Sequence, residues 1–117
     1  MCSGQLGLAG GALVDGGVGA QVAQAVANLS DLLASKGAGL GDVVKTTVFL
    51  DDIADYPAMN EAYVAAFSDH RPARSAFAVA GLPIGALVEI EAWAYLPQPS
   101  GADEAGNATG SAEAPDL

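Results

Sequence analysis

Two segments with helical periodicity, separated by a run of β-branched residues, constrain the fold of this chain more than any other feature. The first segment lies between Gly19 and Gly37, and the second begins at Asp55, a good N-cap, with Pro57 in its first turn. Residues 42–50 between them are rich in Val and Thr, which favour a strand. The pattern predicts two amphipathic helices with a strand between them. The apolar positions are Val22, Ala25, Val26, Leu29, Leu32 and Leu33 in the first helix and Met59, Tyr63, Ala66 and Phe67 in the second.

Shorter segments before and after the helices favour strands. The opening residues lead into a glycine-rich turn, and the apolar run at residues 12–14, bracketed by two Gly-Gly pairs, predicts a hairpin. Residues 73–80 and 86–96 predict two further strands, which the sequence Gly-Leu-Pro-Ile-Gly joins. The order β, β, α, β, α, β, β indicates an α+β fold with two helices on one face of a sheet.

The last predicted strand has two chemically different faces, because side chains alternate along a strand. One face is apolar and suits the helices, whereas the other combines acidic residues with large aromatic ones. That second face fits a subunit interface containing a polar pocket better than it fits open water. The two sets are Val88, Ile90, Ala92 and Ala94 on the first face and Leu87, Glu89, Glu91, Trp93 and Tyr95 on the second.

Two charged residues interrupt strands that otherwise look buried, namely Arg74 and Glu89. A charge in a buried strand needs a partner, solvent or a ligand, because burying it unpaired costs several kcal/mol. Arg74 shares a strand face with small alanines, so its guanidinium has room to bind a carboxylate in bidentate geometry. A purely structural interpretation is an ion pair between Arg74 and Glu89 or Glu91. Both interpretations are open from the pattern alone.

The charge balance argues against polyanionic partners. The net charge is −10, of which four acidic residues in 97–117 contribute −4 and residues 1–96, with ten acidic and four basic residues, contribute −6. We therefore expect neither nucleic acid nor a membrane surface as a partner. Residues 97–117 have the composition of a disordered acidic tail. A single cysteine and no recognisable signal peptide favour a cytoplasmic protein.

The sequence contains no grouping typical of a metal or nucleophile site. The lone histidine, His70, lies between Asp69 and Arg71 in a predicted loop, and Cys2 stands at the N-terminus. No Ser/His/Asp or Cys/His set and no clustered metal-ligand spacing can be argued from these residues. We expect no metal and no cofactor.

Six motifs in order resemble the RidA (YjgF-type) family of enamine and imine deaminases. Together they extend over residues 3 to 95, nearly the whole of the predicted domain at residues 1–96. The motifs are Ser3-Gly4-Gln5, the run from Asp42 to Asp52, Met59-Asn60-Glu61-Ala62-Tyr63, Pro72-Ala73-Arg74-Ser75, Gly81-Leu82-Pro83 and Val88-Glu89-Ile90-Glu91-Ala92.

The resemblance implies a chorismate-mutase-like fold with a mixed β-sheet, assembled as a homotrimer with pockets between subunits. It implies hydrolysis of reactive 2-imino acids, such as 2-iminopropanoate formed from 2-aminoacrylate, to 2-oxo acids and ammonia. Arg74 matches the family arginine that binds the substrate carboxylate, and Glu89 matches the glutamate that activates water. The resemblance places Ser3, Gly4, Asn60 and Ala76 in the substrate pocket. Two alternatives are a non-catalytic trimeric module that binds small carboxylates and a ribonuclease, the latter disfavoured by the charge balance.

Two departures from the family pattern affect the expected pocket. Ala76 stands where family members often have Cys. Relatives also have a further strand and a Gly-Pro-Tyr type segment before the Ser-Gly-Gln motif, whereas here Met1 stands two residues before Ser3. We expect either a start site placed too late or a domain that lacks this edge strand.

Overall fold

The computed structural model describes residues 2–96, except for the side chains of residues 2 and 3. The predicted tail at residues 97–117 lies outside these described residues. Within them the α+β class and the two helices are confirmed, although the strand limits are shorter than predicted. The elements are β1 (Cys2–Leu6), β2 (Leu8–Ala9), β3 (Ala12–Leu13), α1 (Gly17–Ala34), β4 (Val43–Leu50), α2 (Tyr56–Phe67), β5 (Ala73–Ala78) and β6 (Val88–Ala94).

Four strands form a mixed sheet in the order β1-β6-β4-β5. Strands β4 and β5 run parallel, whereas β6 is antiparallel to both of its neighbours, β1 and β4. Parallel strands cannot be joined by a tight turn, so the connection from β4 to β5 passes through α2. This topology places β1 and β5 at the two edges of the four-stranded sheet.

Both helices cover the same face of the sheet, as predicted. Their apolar stripes pack on the alternate residues of β4 and β6 that point toward them. Burying these side chains supplies the main favourable term for folding, at about 25 cal/mol per Å² of apolar surface. The core comprises Val18, Val22, Ala25, Val26, Leu29 and Leu33 of α1, Met59, Tyr63 and Phe67 of α2, and Val43, Val48, Leu50, Val88, Ile90 and Ala92 of the sheet.

The predicted hairpin is confirmed, but the opening strand is divided in two. Leu8 pairs with Leu13 across the β2–β3 turn, where Gly10 and Gly11 have φ angles of 63° and 85°. Positive φ at both central residues is what a type I′ hairpin turn requires, and glycine adopts it without steric cost. The division comes at Gly7, where the chain bends away from the sheet edge to form the hairpin.

Helix α1 anchors β1, β2 and the start of β6, and β6 carries Glu89 and Glu91 on the sheet face opposite the helices, called the acidic face. Asn28 donates hydrogen bonds from Nδ2 to the carbonyl oxygens of Leu6 (3.1 Å) and Leu8 (3.0 Å). Gln21, although buried, accepts a 2.9 Å bond from the backbone N–H of Leu87, just before β6. A Cβ at Gly7 would lie 2.6 Å from Cα of Gln21, so only glycine permits this approach of β1 to the helix. These bonds hold the end of β1 and the start of β6 against the same helix.

The opposite face of the sheet has no covering layer among residues 2–96. Phe49 and Phe77 meet edge to face on it, with ring centroids 5.4 Å apart and an interplanar angle of 81°. Phe77 is 46% exposed and Tyr95 is 62% exposed. A face that combines such side chains with Glu89 and Glu91 is typical of a contact surface rather than of a solvated one.

Neither described helix has the length and apolar character needed to cross a bilayer.

Candidate active site

Arg74 lies on the helix-covered face of the sheet, against α2. It pairs with Thr46 in the parallel β4–β5 ladder. Its Nη2 donates a 2.8 Å hydrogen bond to the hydroxyl oxygen of Tyr56. Its Cζ lies 4.8 Å from the ring centroid of Tyr63 and 5.6 Å from that of Tyr56. A guanidinium over an aromatic face is attracted by the ring quadrupole, by about 0.5–2 kcal/mol.

Tyr63 provides a rigid and uncharged support beneath this guanidinium. The side chain is buried, and its hydroxyl forms a 2.7 Å hydrogen bond with Oγ1 of Thr46, which is itself fully buried. Burial raises the pKa of the Tyr63 phenol above its ordinary value of 10.0, although the Thr46 hydrogen bond and the charges of Arg74 and Arg71 act in the opposite direction. Tyr63 is therefore protonated at neutral pH and holds its position through Thr46.

Glu89 lies in a cleft on the other, acidic face. The cleft has a volume of about 370 Å³ and is formed by β1, β6 and the segment after β5. Its wall includes a second carboxylate, Glu91, which the resemblance had not assigned to the site. The i, i+2 spacing of the two glutamates on one strand was the available signal for it. The lining residues are Gly4, Phe49, Val79, Gly81, Leu82, Pro83, Glu89 and Glu91.

Gly4 and Glu89 are in close contact in the wall of this cleft. The β1–β6 register shifts between Cys2 and Gln5, and Gly4 lies in this irregular stretch. A Cβ at residue 4 would lie 1.8 Å from Oε2 of Glu89, which no real structure tolerates. Glycine at this position therefore allows the Glu89 carboxylate to lie against the backbone of β1.

The structure does not bring Arg74 and Glu89 together within one chain. Arg74 pairs with Thr46 and Glu89 with Phe49, three residues further along β4. Residues three apart on a strand point to opposite faces, so the two charges are separated by the sheet itself. The ion pair between Arg74 and Glu89 or Glu91 is therefore wrong for a single chain, since the arginine bonds to Tyr56 instead.

The other predicted pocket residues fall on the Arg74 side or outside the described region. Asn60 is half-buried on α2, four residues after Tyr56 and three before Tyr63, so all three share one helical face. Ala76 follows Arg74 on the same side of β5 and packs against the core. The side chain of Ser3 lies outside what the structure describes. The site residues thus form two groups, one around Arg74 and one around Glu89.

His70 has a structural role. Its Nε2 and the carbonyl oxygen of Val43 are 2.6 Å apart, which ties the loop before β5 to the start of β4. Among the side chains that the structure describes, those of residues 4–96, no three His, Cys, Asp or Glu side chains are close enough to hold a metal ion.

Known proteins match this chain in sequence over most of its length. The model of the Endoribonuclease L-PSP family matches residues 1–96. The rat 2-iminobutanoate/2-iminopropanoate deaminase is 47% identical over 92 residues, covering 77% of this chain and 67% of the rat protein. The human protein of the same name is 46% identical over the same length, with the same coverage.

Solved structures agree with these sequence matches. RidA from an Antarctic Psychrobacter bacterium has a TM-score of 0.75 and 42% identity, covering 80% of this chain and 76% of that one. Escherichia coli TdcF, solved with bound serine, has a TM-score of 0.72 and 34% identity, covering 77% and 74%. The chain therefore belongs to the Endoribonuclease L-PSP family, the family of RidA, YjgF and the 2-iminobutanoate/2-iminopropanoate deaminases.

Proposed function

We propose that this chain hydrolyses small 2-imino acids to 2-oxo acids and ammonia. The observation that carries the proposal is that relatives with 46–48% identity are named as 2-iminobutanoate/2-iminopropanoate deaminases. The chain also has the two groups that this reaction needs, a fixed guanidinium at Arg74 and a carboxylate in a cleft at Glu89. No residue of the proposed chemistry requires a metal or cofactor.

In the proposed mechanism, Arg74 binds the substrate carboxylate and Glu89 acts on water. Glu89 takes a proton from a water molecule while the water oxygen attacks C2 of the protonated imine, giving a carbinolamine. Protonated Glu89 then gives its proton to the amino nitrogen. As the C–N bond breaks, the carbinolamine hydroxyl returns a proton to Glu89, the C=O bond of the 2-oxo acid forms and ammonia leaves. The proton on Glu89 then passes to ammonia or to solvent. The iminium carbon is already a strong electrophile, so orientation and one general base suffice.

The proposal includes a chorismate-mutase-like homotrimer with each site shared between two protomers. Two features support this assembly: Arg74 and Glu89 lie on opposite faces of one chain, and the acidic face exposes Phe77 and Tyr95. Light scattering on a chromatographed sample should give the mass of three chains. A monomer at micromolar concentration would reject the shared site.

The proposal excludes RNA as a substrate despite the name of the family. Residues 1–96 carry ten acidic and four basic residues, and one of the four is Arg74. Phosphate neutralisation depends on clustered Lys and Arg, which such a surface lacks.

A cytoplasmic location stays a prediction, since one relative, fission yeast mmf1, is named as mitochondrial.

The test generates the imine in situ from an amino acid with an amino-acid oxidase and follows 2-oxo acid release against the spontaneous rate. Arg74→Ala should abolish the acceleration, and Glu89→Gln should slow it by about 10² to 10⁴-fold, the usual contribution of a general base. Arg71→Ala and Glu61→Gln, which change the same residue types at exposed positions, are the controls. If the wild-type protein gives no acceleration, the proposed function is rejected.

A further inference from the structure

The guanidinium of Arg74 is held before any substrate arrives. Tyr56 accepts a hydrogen bond from Nη2 at 2.8 Å, and the Tyr63 ring lies 4.8 Å below Cζ. Thr46, the neighbour of Arg74 on β4, fixes Tyr63 through its hydroxyl. Two strands and one helix thus converge on a single side chain.

Tyr56 presents its hydroxyl from a rigid part of the backbone. It is the first residue of α2 and follows a single 3-10 turn at Ile53–Asp55. Asp52 caps that turn by accepting a 2.9 Å bond from the N–H of Ala54. Pro57 then restricts the backbone directly after Tyr56. The Tyr56 ring therefore extends from a restrained backbone, and its hydroxyl contacts β5 at Arg74.

The contact with Tyr56 selects one orientation of a flexible side chain. Arginine has many rotamers, and ordering it on binding costs conformational entropy. A guanidinium has five N–H donors, so the bond to Tyr56 leaves four. These are enough for a bidentate interaction with a carboxylate, which needs two parallel N–H groups. The Tyr56 hydroxyl thus orients the guanidinium and leaves enough of its N–H donors for a carboxylate.

We infer that Tyr56 is a positioning residue whose hydroxyl holds the Arg74 guanidinium in the orientation that receives the substrate carboxylate. The inference rests on the proposed function in that Arg74 is taken as the carboxylate-binding group. Tyr63 supplies the surface on which the guanidinium rests, and Tyr56 supplies its direction. Sequence periodicity had placed Tyr63 in the apolar stripe of α2 and had given Tyr56 no role.

The substitution Tyr56→Phe removes the hydroxyl and keeps the ring. Because the same bond holds Arg74 in the substrate complex and in the transition state, KM should rise while kcat stays within about twofold. The dissociation constant of 2-oxobutanoate, measured by calorimetry, should rise about tenfold, as for loss of a hydrogen bond to a charged group. Ser35→Ala, which removes an exposed hydroxyl that donates to the Leu32 carbonyl oxygen at the end of α1, is the control and should leave both values unchanged.

Arginine side-chain NMR gives a readout that is independent of activity. The chain has two arginines, Arg71 and Arg74, so Arg71→Lys assigns their signals. In the wild-type protein the Nη groups of Arg74 should exchange slowly, and in Tyr56→Phe rotation about Cζ–Nε should average them. Slow exchange reflects the restraint itself and would not follow from a general role in the fold.

The outcomes separate this inference from the proposed function. If the wild-type protein hydrolyses imines but Tyr56→Phe leaves 2-oxobutanoate affinity and the Arg74 signals unchanged, the inference is wrong and the function stands. If Arg74 loses its restraint and affinity falls while no hydrolysis is seen in either protein, the function fails and the inference stands. A lower melting temperature with unchanged Arg74 signals would assign Tyr56 to the fold and overturn the inference.

Discussion

Mixing two inactive variants tests whether Arg74 and Glu89 act together across two copies of the chain. Within one chain they lie two strand spacings apart across the sheet and three residues apart along it, a Cα separation of about 14 Å. Their side chains also point to opposite faces, so neither can reach the other. If both contribute to one site, that site combines Arg74 of one protomer with Glu89 of a second protomer.

The expected activity of a mixture follows from counting intact sites. Arg74→Ala should have no activity alone and Glu89→Gln at most about a hundredth of wild-type activity, since every site in either protein lacks one group. In an equal mixture with random assembly, half of the protomers offer Arg74 and half offer Glu89. A given site is therefore intact with a probability of about one quarter, and the mixture should have about a quarter of wild-type activity per chain. If each site were formed within one chain, the mixture would have no activity beyond that of the separate variants.

The assay refolds the two variants together from urea and measures 2-oxo acid release from an imine generated in situ. Native mass spectrometry of size-tagged chains verifies that the copies have mixed. A mixture of Arg74→Ala with Arg71→Ala is the control, and it should have about half of wild-type activity because only one of its variants lacks a site residue. Activity no higher than that of the separate variants, in verified mixed assemblies, would refute a shared site.

Three further predictions concern local geometry. Gly4→Ala should displace the Glu89 carboxylate, because a Cβ would lie 1.8 Å from its Oε2, and should lower kcat by about 10²-fold, as a misplacement of 1 Å can. Ile84→Asn should raise the free energy of unfolding by about 0.5–1 kcal/mol, measured by urea denaturation, because Ile84 has φ 50° and β-branched residues are strained there whereas Asn is not. The pKa of Tyr63 is raised in the folded state, so stability is complete below about pH 10 and falls as pH rises through the folded value, by at most about 1.4 kcal/mol per pH unit. Tyr63→Phe should therefore show a shallower decline in urea midpoint between pH 10 and 11.

The first two of these predictions have a control variant, and each of the three has a result that would contradict it. Gly41→Ala adds a Cβ where nothing lies within 4 Å, so wild-type activity is expected there, and equal losses at both positions would contradict the steric argument. Ile53→Asn changes another exposed isoleucine that lies outside the left-handed region, and the same gain there would show that strain is not the cause. An unchanged alkaline slope in Tyr63→Phe would mean that this phenol does not ionise on unfolding.

Local periodicity predicted the helices and strands well, because an element that is buried on one side has apolar residues at a regular spacing in the sequence. The stripe of α1 matches the observed burial except at Leu32, and the alternation of β6 matches it except at Ala94, since these two residues are only half-buried. Val88, Ile90 and Ala92 are fully buried. The hairpin also followed from two glycines at positions that need positive φ. In each case the determining interactions lie within a few residues of chain.

The face occupied by Arg74 could not be predicted in this way. Strand β5 is rich in alanine, so its two faces differ little in hydrophobicity. The alternation of its side chains therefore does not indicate which face is turned toward the helices. Its largest apolar residue, Phe77, is 46% exposed on the open face, while Arg74 lies on the face that the helices cover. That choice depends on Tyr56 and Tyr63, which receive the guanidinium from another element.

The position of Arg74 also explains how a charge is tolerated beside the core. Burying an unpaired guanidinium costs several kcal/mol, and an intrachain carboxylate was the simplest remedy from sequence. Here the charge instead meets one hydroxyl and two aromatic faces, and no carboxylate among residues 4–96 forms an ion pair with it. A guanidinium that is held but not neutralised keeps its attraction for an anion. In the proposed function, Arg74 is available to the substrate carboxylate because no intrachain ion pair occupies it, and the proposed site requires a second copy because the sheet separates Arg74 from Glu89.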